Sequence, residues 1–589
     1  MRARAGYAAA VVVVAAAAAG LIVDWYGPPP SADVARGSED VFASGLQRRE
    51  LPPGGGPVRW TRLRARLRFE RLPLGPAVLE VRLAGHRSPV TVYAGGVRLG
   101  VLAPDQGRAD YALPALRQRH LEVELRTGGF VAGDGRHLGT QLRRITLRPS
   151  GRSSGGAVPL LIVIPAAAFA LAAAMFGAGL TLVTGGLGAG AAVFLLWPAG
   201  VARSPWAPTL CGVLVLGAAL SGGLAAWCER RRPGSGRWAL AALLLAWLVQ
   251  VVLATAPVMV VSDVLFHANT LGHVAAGELF PTSVTQHAHP FRIPYPAFFY
   301  GLLAPFQWLG LDEIVLVRWG AGLSGALAAA GLLVALGETG PALGGLAVVL
   351  LQLEPISFDV HSYGNLSNAF AQSMTTLLFA WWISARRRGG VAVMLAALAA
   401  ASHLSGCFVV GAWGGALWAL GPPRDRRRVL TTLGIGLALA LLYYAAYVPM
   451  MLEQLPRLLE GGGQGRGASQ GAIGALGWQV FSALRDWGVP VLVLSFAGLP
   501  RWPGERLERA LLAALVAGAA LLLLAVVSPV EVRYRYFLAL PLAICAARGA
   551  ERLARRGRAG LILVSLLVAA QVGLSLWGFE ADLLHRYRL

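Results

Sequence analysis

Lysine is absent from this 589-residue chain: all 52 basic positions are arginine. Acids are scarce as well, 30 in all, and charged residues of every kind make up only 14%. Soluble globular domains carry about a quarter charged residues, so that class is excluded. Only four cysteines occur, Cys211, Cys228, Cys407 and Cys545, each in or beside an apolar run and none at metal-ligand spacing. That excludes a zinc scaffold and a disulfide-stapled secreted fold, and the four read as small buried hydrophobes. A phosphate loop, a dinucleotide fingerprint, a zinc-protease helix and a convincing Ser-His-Asp triad are also missing. The glycine-rich stretch Glu460 to Gly467 has no preceding strand and no lysine, so it reads as a linker or a substrate lid.

What is present is apolar. Hydrophobic residues make up 56% of the chain and mean hydropathy is +0.58. Runs of about 18 or more apolar residues, enough to cross ~30 Å of hydrocarbon, recur along most of its length. The chain is therefore expected to be an integral membrane protein. A net charge of +22 suggests nucleic acid at first sight. The arginines, however, sit in short clusters between apolar runs, as orientation signals do, and no nucleic-acid partner is expected.

Residues 1–26 start with Arg2 and Arg4 and continue as an apolar run into Asp24-Trp25-Tyr26. They read as an uncleaved anchor with a cytoplasmic N-terminus, cleavage as a signal peptide being the alternative. Residues 31–155 alternate with period two at Val78–Leu83, Val90–Tyr93, Leu121–Leu125 and Ile145–Leu147, broken by turns such as Ala94-Gly95-Gly96. This pattern predicts an extracytoplasmic β-sandwich.

Accessory spans are expected over 158–230 and a larger membrane domain over 238–578. Arginine clusters at 230–232, 386–388, 424–428, 501–509 and 552–558 are assigned to the cytoplasm. Alternating spans then place His267, His273, His287, His289, His361 and His403 on the outer side, with Asp263, Glu354, Asp359, Arg533 and Arg535. Residues 297–311 become re-entrant or interfacial, and 391–420 a pair of short helices turning near His403. The polar layer is one-sided and no repeated halves are seen, which suits chemistry at a membrane surface better than transport through mid-membrane.

The densest polar patch follows the apolar run that ends near residue 260: Ser262-Asp263-Val264-Leu265-Phe266-His267, then His287-Ala288-His289, then Arg292-Ile293-Pro294-Tyr295-Pro296-Ala297-Phe298-Phe299-Tyr300. Polar groups kept beside hydrocarbon mark function by default. Together with Ser402-His403-Leu404 and Arg533-Tyr534-Arg535-Tyr536 before Leu540-Pro541, this order resembles the GT-C superfamily of polytopic, polyprenyl-phosphate-sugar-dependent glycosyltransferases, family-39-like, over about residues 238–578. The N-terminal region, ending in Arg136-His137-Leu138-Gly139 and Arg144-Ile145-Thr146-Leu147, is similar to β-sandwich domains attached to some bacterial members.

The resemblance implies that Asp263 is the catalytic acid of the loop, a general base or a group orienting the acceptor or a metal. The plain alternative is a solvated helix-end aspartate. His267 lies four residues on and shares its helix face. Asp263 and His267 are the residues that would hold a divalent metal, with His287 and His289 as further ligands, but sugar or phosphate contact is the reading preferred for the histidines, plain loop polarity being the alternative for His273 and His287. Arg535 with Arg533 matches the position of a basic residue near the lipid phosphate; headgroup snorkelling is the alternative. Tyr295, Asp359, His361 and His403 complete the expected substrate contacts, with Arg292 and Arg318 as weaker phosphate contacts, a loop capping the next helix as the alternative at Asp359 and His361, and a structural hydrogen bond competing at His403. No cofactor is assigned beyond that divalent metal, and no nucleotide site is required.

The expected function is transfer of a sugar, with inversion, from a polyprenyl-phosphate donor to a lipid or glycan acceptor at the non-cytoplasmic face of the plasma (inner) membrane. A lipid or polysaccharide transporter or flippase is the alternative, or a non-catalytic assembly protein of the same fold. The missing lysine and the single Asp263, where some members pair two acids, are departures from the family pattern.

Overall fold

Between Val58 and Glu70 arginine alternates with apolar residues, and a strand with that pattern must turn its arginines to one face. In a computed structural model of the chain this stretch is strand β3 (Val58–Glu70), with Ala65, Leu67 and Phe69 fully buried and Arg64, Arg66 and Arg68 exposed. The structure describes residues 2–34, 42–50, 58–85, 88–104, 106–116, 118–132, 137–149, 157–253, 256, 263–284, 292–362, 364–384, 389–461, 472–500, 505–527 and 531–584. Two compact units divide the chain: Met1–Leu224 with Ala256–Val260 and Glu580–Leu589, and Ala225–Thr255 with Val261–Phe579.

In the first unit, helix α1 (Arg2–Tyr26) precedes strands β1 (Ser31–Asp33), β2 (Ala43–Glu50), β3, β4 (Gly75–Gly85), β5 (Val90–Ala94), β6 (Val97–Leu102), β7 (Arg108–Leu116), β8 (His120–Thr127), β9 (Phe130–Val131), β10 (His137–Leu138) and β11 (Gln141–Pro149). All pairings among them are antiparallel, and the expected turn joins β5 to β6 through Gly95 and Gly96, both at positive φ.

The expected two-layer sandwich is instead one continuous nine-stranded sheet in the order β6-β5-β8-β3-β11-β4-β7, with β1 on β11 and β2 on β3. The reason lies at β11. It pairs with β3 only through Gln141 and Leu142, then shifts register twice and runs along β4. Such bulges bend a strand from one layer into the next. The sheet curls until its two ends approach: a Cβ at Gly100 in β6 would lie 2.9 Å from Tyr111 Cε1 in β7. The result is a nearly closed barrel around Leu79, Val81, Val90, Val92, Val123 and Ile145.

Helices α2 (Leu160–Ala173) and α3 (Ala178–Leu196) pack against α1, Gly185 admitting Val12, and α4 (Ala207–Arg231) follows a 3₁₀ turn at Pro198–Arg203. Two arginines bind sheet, turn and α1 together. Arg71, at φ 53°, donates from Nε to Ala202 O at 2.8 Å and from Nη2 to Ser204 O. Arg203 donates back to Arg71 O and, from Nη2, to Asp24 O at 2.9 Å and Asp24 Oδ1 at 3.0 Å. The end of α1, the sheet and the 198–204 turn thus lie on one side of this unit's helices.

The second unit is helical. It contains α5 (Gly236–Ala246) continued as a π-helix over Trp247–Leu253, then α6 (Val264–Ala275), the hairpin β12 (Thr282–Val284) and β13 (Arg292–Pro294), and α7 (Phe298–Leu303). Next come α8 (Glu313–Gly337), α9 (Pro341–Leu353), α10 (Ile356–Ser362), α11 (Leu366–Ile383), α12 (Gly389–Ser402), α13 (Leu404–Leu420), α14 (Pro423–Val429), α15 (Ile435–Ala445), α16 (Val448–Gly461), α17 (Ala472–Trp487), α18 (Val489–Gly498), α19 (Arg506–Val527), α20 (Glu531–Ala554) and α21 (Arg558–Leu584). Over the described residues of the whole chain, seven helices are long and apolar enough to cross a membrane, nine if each of two bent pairs is one span. The hairpin expected within 391–420 is α12 and α13, turning at His403.

Proline explains one bent pair. Pro355 has no N–H for Leu351 O. Helix α9 therefore stops at Leu353, α10 leaves at 46°, and Ser357 Oγ donates to Leu351 O at 2.5 Å instead. The other bend, 88° between α17 and α18, falls at Gly488, whose φ is +83°. One side chain closes both breaks. Gln571 on α21 donates from Nε2 to Leu353 O at 2.8 Å and to Trp487 O at 3.2 Å, and Ser575 adds a second donor to Leu353 O.

Candidate functional site

Charge and polarity sort to the ends of the second unit. Helices α8 and α11 run parallel: Ser324 meets Ser373 at 3.3 Å, and Gly331 meets Leu377 one to two turns later. Gly337 and Ile383 therefore share an end, and the described arginines of the clusters at 230–232, 424–428 and 505–509 collect there. Arg232 donates to Gly337 O, Arg506 to Ser384 O at 3.1 Å, and Arg509 to Asp425 Oδ2 at 3.3 Å. Arg428 stands over the rings of Trp381 and Trp382. The starts of α8 and α11 define the opposite end, where His267, His361, Tyr295 and Tyr300 gather.

Asp263 is exposed, forms the N-cap of α6, and makes no side-chain capping bond to that helix. Its backbone packs against Gly364, where a Cβ would come within 2.6 Å of Asp263 N. Gly364 has φ +74°, and the turn is tied to α10 by Gly364 N–H to His361 O at 3.0 Å and Asn365 N–H to Val360 O at 3.1 Å.

His267 is buried and uses both ring nitrogens inside the protein. Nε2 meets Gly364 O, and Nδ1 lies 2.6 Å from Tyr300 Oη. A carbonyl only accepts, so Nε2 carries a proton, and in the neutral imidazole Nδ1 then accepts from the phenol. Burial holds the Tyr300 hydroxyl well above the ordinary tyrosine range, so it is a donor at neutral pH. Neither nitrogen is left for a metal in this arrangement. Tyr295, the next aromatic, packs edge-on against Phe266 with centroids 4.5 Å apart and places Oη 3.2 Å from Ser367 Oγ.

From Ser367 the network passes to the next residue on α11. Asn368 Oδ1 accepts from Ser405 Oγ at 2.7 Å, and that oxygen lies 2.8 Å from His403 Nδ1, which also caps α13 through Ser405 N–H at 3.1 Å. The residue expected either to touch substrate or to make a structural bond does the latter with this nitrogen. His361 is buried on α10, with Nε2 2.9 Å from Gln250 Oε1; Gln250 Nε2 donates onward to Gln352 Oε1 at 2.8 Å. Gly322 and Gly325 on α8 leave the space that Gln250 fills. Asp359 and Arg318 are buried in the same unit.

Arg535 is buried, and its Nε donates to Asp486 Oδ2 at 2.6 Å. Arg485 donates to the other oxygen of Asp486 at 2.8 Å, and Trp487 Nε1 donates to Arg535 O at 3.0 Å. Gln571 joins this group to the α9–α10 break, where Glu354 is fully buried and, among the described residues, neither carboxylate oxygen has a hydrogen-bond partner. Arg292 is exposed on β13 and exchanges backbone bonds with the Gln454 amide of α16, 2.7 Å from Arg292 N and 3.0 Å from Arg292 O. His273 is exposed beside Glu278, at 3.1 Å. His287, His289 and the Arg533 side chain lie outside the described residues.

The structure thus brings Asp263, His267, Tyr295 and His403 into one linked set, with Arg535 in a second set that Gln571 connects to α9. Among the described residues no group of three metal-ligating side chains occurs. Asp486, Gln571, Tyr300 and Gly364 were not among the expected site residues. The signal for Gln571 was present, a lone amide in an apolar run. Asp486 was marked by the acid-Trp-Gly-Val-Pro sequence of a helix break. No protein-family model matches the chain, and no curated protein matches it.

Proposed function

We propose that the chain is a GT-C-type membrane glycosyltransferase, moving a sugar from a polyprenyl-phosphate donor to a lipid or glycan acceptor at the non-cytoplasmic membrane face. One observation carries the reading: Asp263 is an exposed carboxylate on a fixed helix start, at the end of the unit away from the arginine clusters. A carboxylate in that place can take the proton of an acceptor hydroxyl as its oxygen attacks the anomeric carbon. The bond from that carbon to the donor phosphate breaks, the phosphate keeps the electron pair, and the configuration inverts. The isoprenoid tail stays in lipid while the sugar phosphate reaches the loop.

Arg535, oriented by Asp486, and Arg533 are the proposed contacts to the phosphate, where a guanidinium offsets the charge that develops on the leaving group. Arg292, Tyr295, His289, Asp359, His361 and His403 are proposed around the sugar and acceptor. A divalent metal, if used, would rest on Asp263, since His267 has both nitrogens engaged. The sheet domain is proposed as an accessory, extracytoplasmic module.

A lipid transporter or flippase is the second reading, favoured by the buried Gln352–Gln250–His361 chain, since polar side chains inside a helix bundle also line transport paths. The deciding experiment uses purified protein in detergent, where no compartments exist, with defined polyprenyl-phosphate sugars and labelled acceptors. The enzyme yields a covalent glycoside, and Asp263→Asn lowers the rate by about 10²–10⁴-fold. A transporter or an assembly protein yields none, and equal rates for wild type and Asp263→Asn remove Asp263 from the mechanism.

A further inference from the structure

We propose that His267 and Tyr300 are positioning residues that set Asp263 through the turn at Gly364; the catalytic part of this rests on Asp263 as the base. The constraint is a closed ring. Asp263 caps the helix that carries His267, and His267 N–H donates to Asp263 O at 3.1 Å. One turn along, the His267 ring reaches back to the carbonyl of Gly364, and the Cα of Gly364 lies against the Asp263 backbone. The helix start is thus held by a side chain of its own first turns, acting through a segment more than 90 residues away, at |i−j| of 97.

Each member of the ring has a physical reason. Gly364 needs its positive φ, and any Cβ there would sit 2.6 Å from Asp263 N and 2.9 Å from Asp263 Cβ, closer than real contacts allow. The imidazole must be the Nε2–H tautomer to donate to a carbonyl, and the Tyr300 hydroxyl fixes that tautomer by donating to Nδ1. Tyr300 is itself held by burial and by Phe299, Tyr295 and His267 around its ring. With both nitrogens used, His267 has neither a proton to give a substrate nor a lone pair to give a metal. Its work is geometric, and misplacing a reacting group by about 1 Å can cost on the order of a hundredfold in rate.

Two readouts test the proposal, one independent of activity. In a protein whose four cysteines are replaced, Asp263→Cys is labelled with a charged maleimide, alone and combined with His267→Phe, His267→Gln, Tyr300→Phe or Gly364→Ala. Labelling changes several-fold with His267→Phe and Gly364→Ala, less with Tyr300→Phe, and returns towards the parent rate with His267→Gln, whose amide can donate and accept. In the Asp263 background, His267→Phe and Gly364→Ala lower kcat by about ten- to a hundredfold with KM for the donor nearly unchanged, and His267→Gln restores most of it. Unchanged labelling in every variant overturns the positioning role whatever the activity does. Altered labelling with normal transfer by Asp263→Asn upholds the positioning and removes the catalytic reading instead. Tyr300→Phe keeps size and packing, so a folding failure in the larger changes leaves the decision with it.

Discussion

Asp486 shows what burial does to a single charge. It lies between two arginines, and its side chain is wholly inaccessible, as is nearly all of Arg535. Asp486→Asn removes the counter-charge and leaves the Arg535 guanidinium buried, which costs about 3–5 kcal/mol. The expected result is a large loss of melting temperature in detergent. Asp486→Asn with Arg535→Met recovers most of it, because no uncompensated charge remains. If Arg535 contacts the donor phosphate, the double variant is stable but inactive, which separates the two roles. At this scale the sequence was partly legible. Asp263 and Arg535 could be picked out because charge stands out in an apolar chain. The partner of Arg535 could not, since it lies 49 residues away on another helix. His267 was selected for its chemistry and serves through its geometry, a distinction that rests on where Tyr300 and Gly364 fall in space.

Elements were legible where one force dominated. Apolar runs gave most of the long helices, and period-two alternation gave strands within β4, β5, β8 and β11, because each pattern reports which face meets water. Helices α16 and α17 escaped, since their apolar residues recur on one face and never accumulate into a run. The breaks at Pro355 and Gly488 were visible as residues but not as bends. Helix breaks in lipid must satisfy the carbonyls they release, and Gln571 does this for two of them. Gln571→Leu keeps the apolar packing and leaves Trp487 O without this donor, while Leu353 O retains Ser575. An unsatisfied buried acceptor costs about 1–3 kcal/mol. Backbone amides of α18 should therefore exchange faster than those at the start of α10, measured by hydrogen exchange in nanodiscs. Equal acceleration at the two places would show that Gln571 is not acting through these bonds.

For the whole molecule, the sorting of the described arginine clusters to one end of the second unit and of its described histidines to the other follows from alternating spans, and so was predictable from cluster spacing alone. The closure of the N-terminal sheet was not, because it depends on the two register shifts of β11, which leave no mark in hydropathy. In the first unit the sheet is tied to the 198–204 turn and the end of α1 by arginine bonds to carbonyls. Arg203 and Asp24 are the core of that junction, with Asp24 fully buried at its side chain. Asp24→Asn should therefore destabilise by about 3–5 kcal/mol and increase exchange at the amides of Arg71 and Leu72. Arg203→Lys should destabilise as well, although it keeps the charge, since an ammonium cannot span Arg71 O, Asp24 O and Asp24 Oδ1. Unaltered exchange at Arg71 would show that the sheet is held by other contacts.

The order of synthesis gives the Gln571 bridge a further meaning. The carbonyls of Leu353 and Trp487 are made 218 and 84 residues before the side chain that seals them. While the chain is being inserted, both bends therefore exist as open ends. Glu354 and Asp486 are each next to one, and water or the insertion machinery must serve in place of Gln571. The candidate site around Arg535 takes its final form only when α21 arrives. A chain stopped before residue 571 should insert its earlier helices normally and still be cleared by quality-control proteases, failing at assembly and not at insertion.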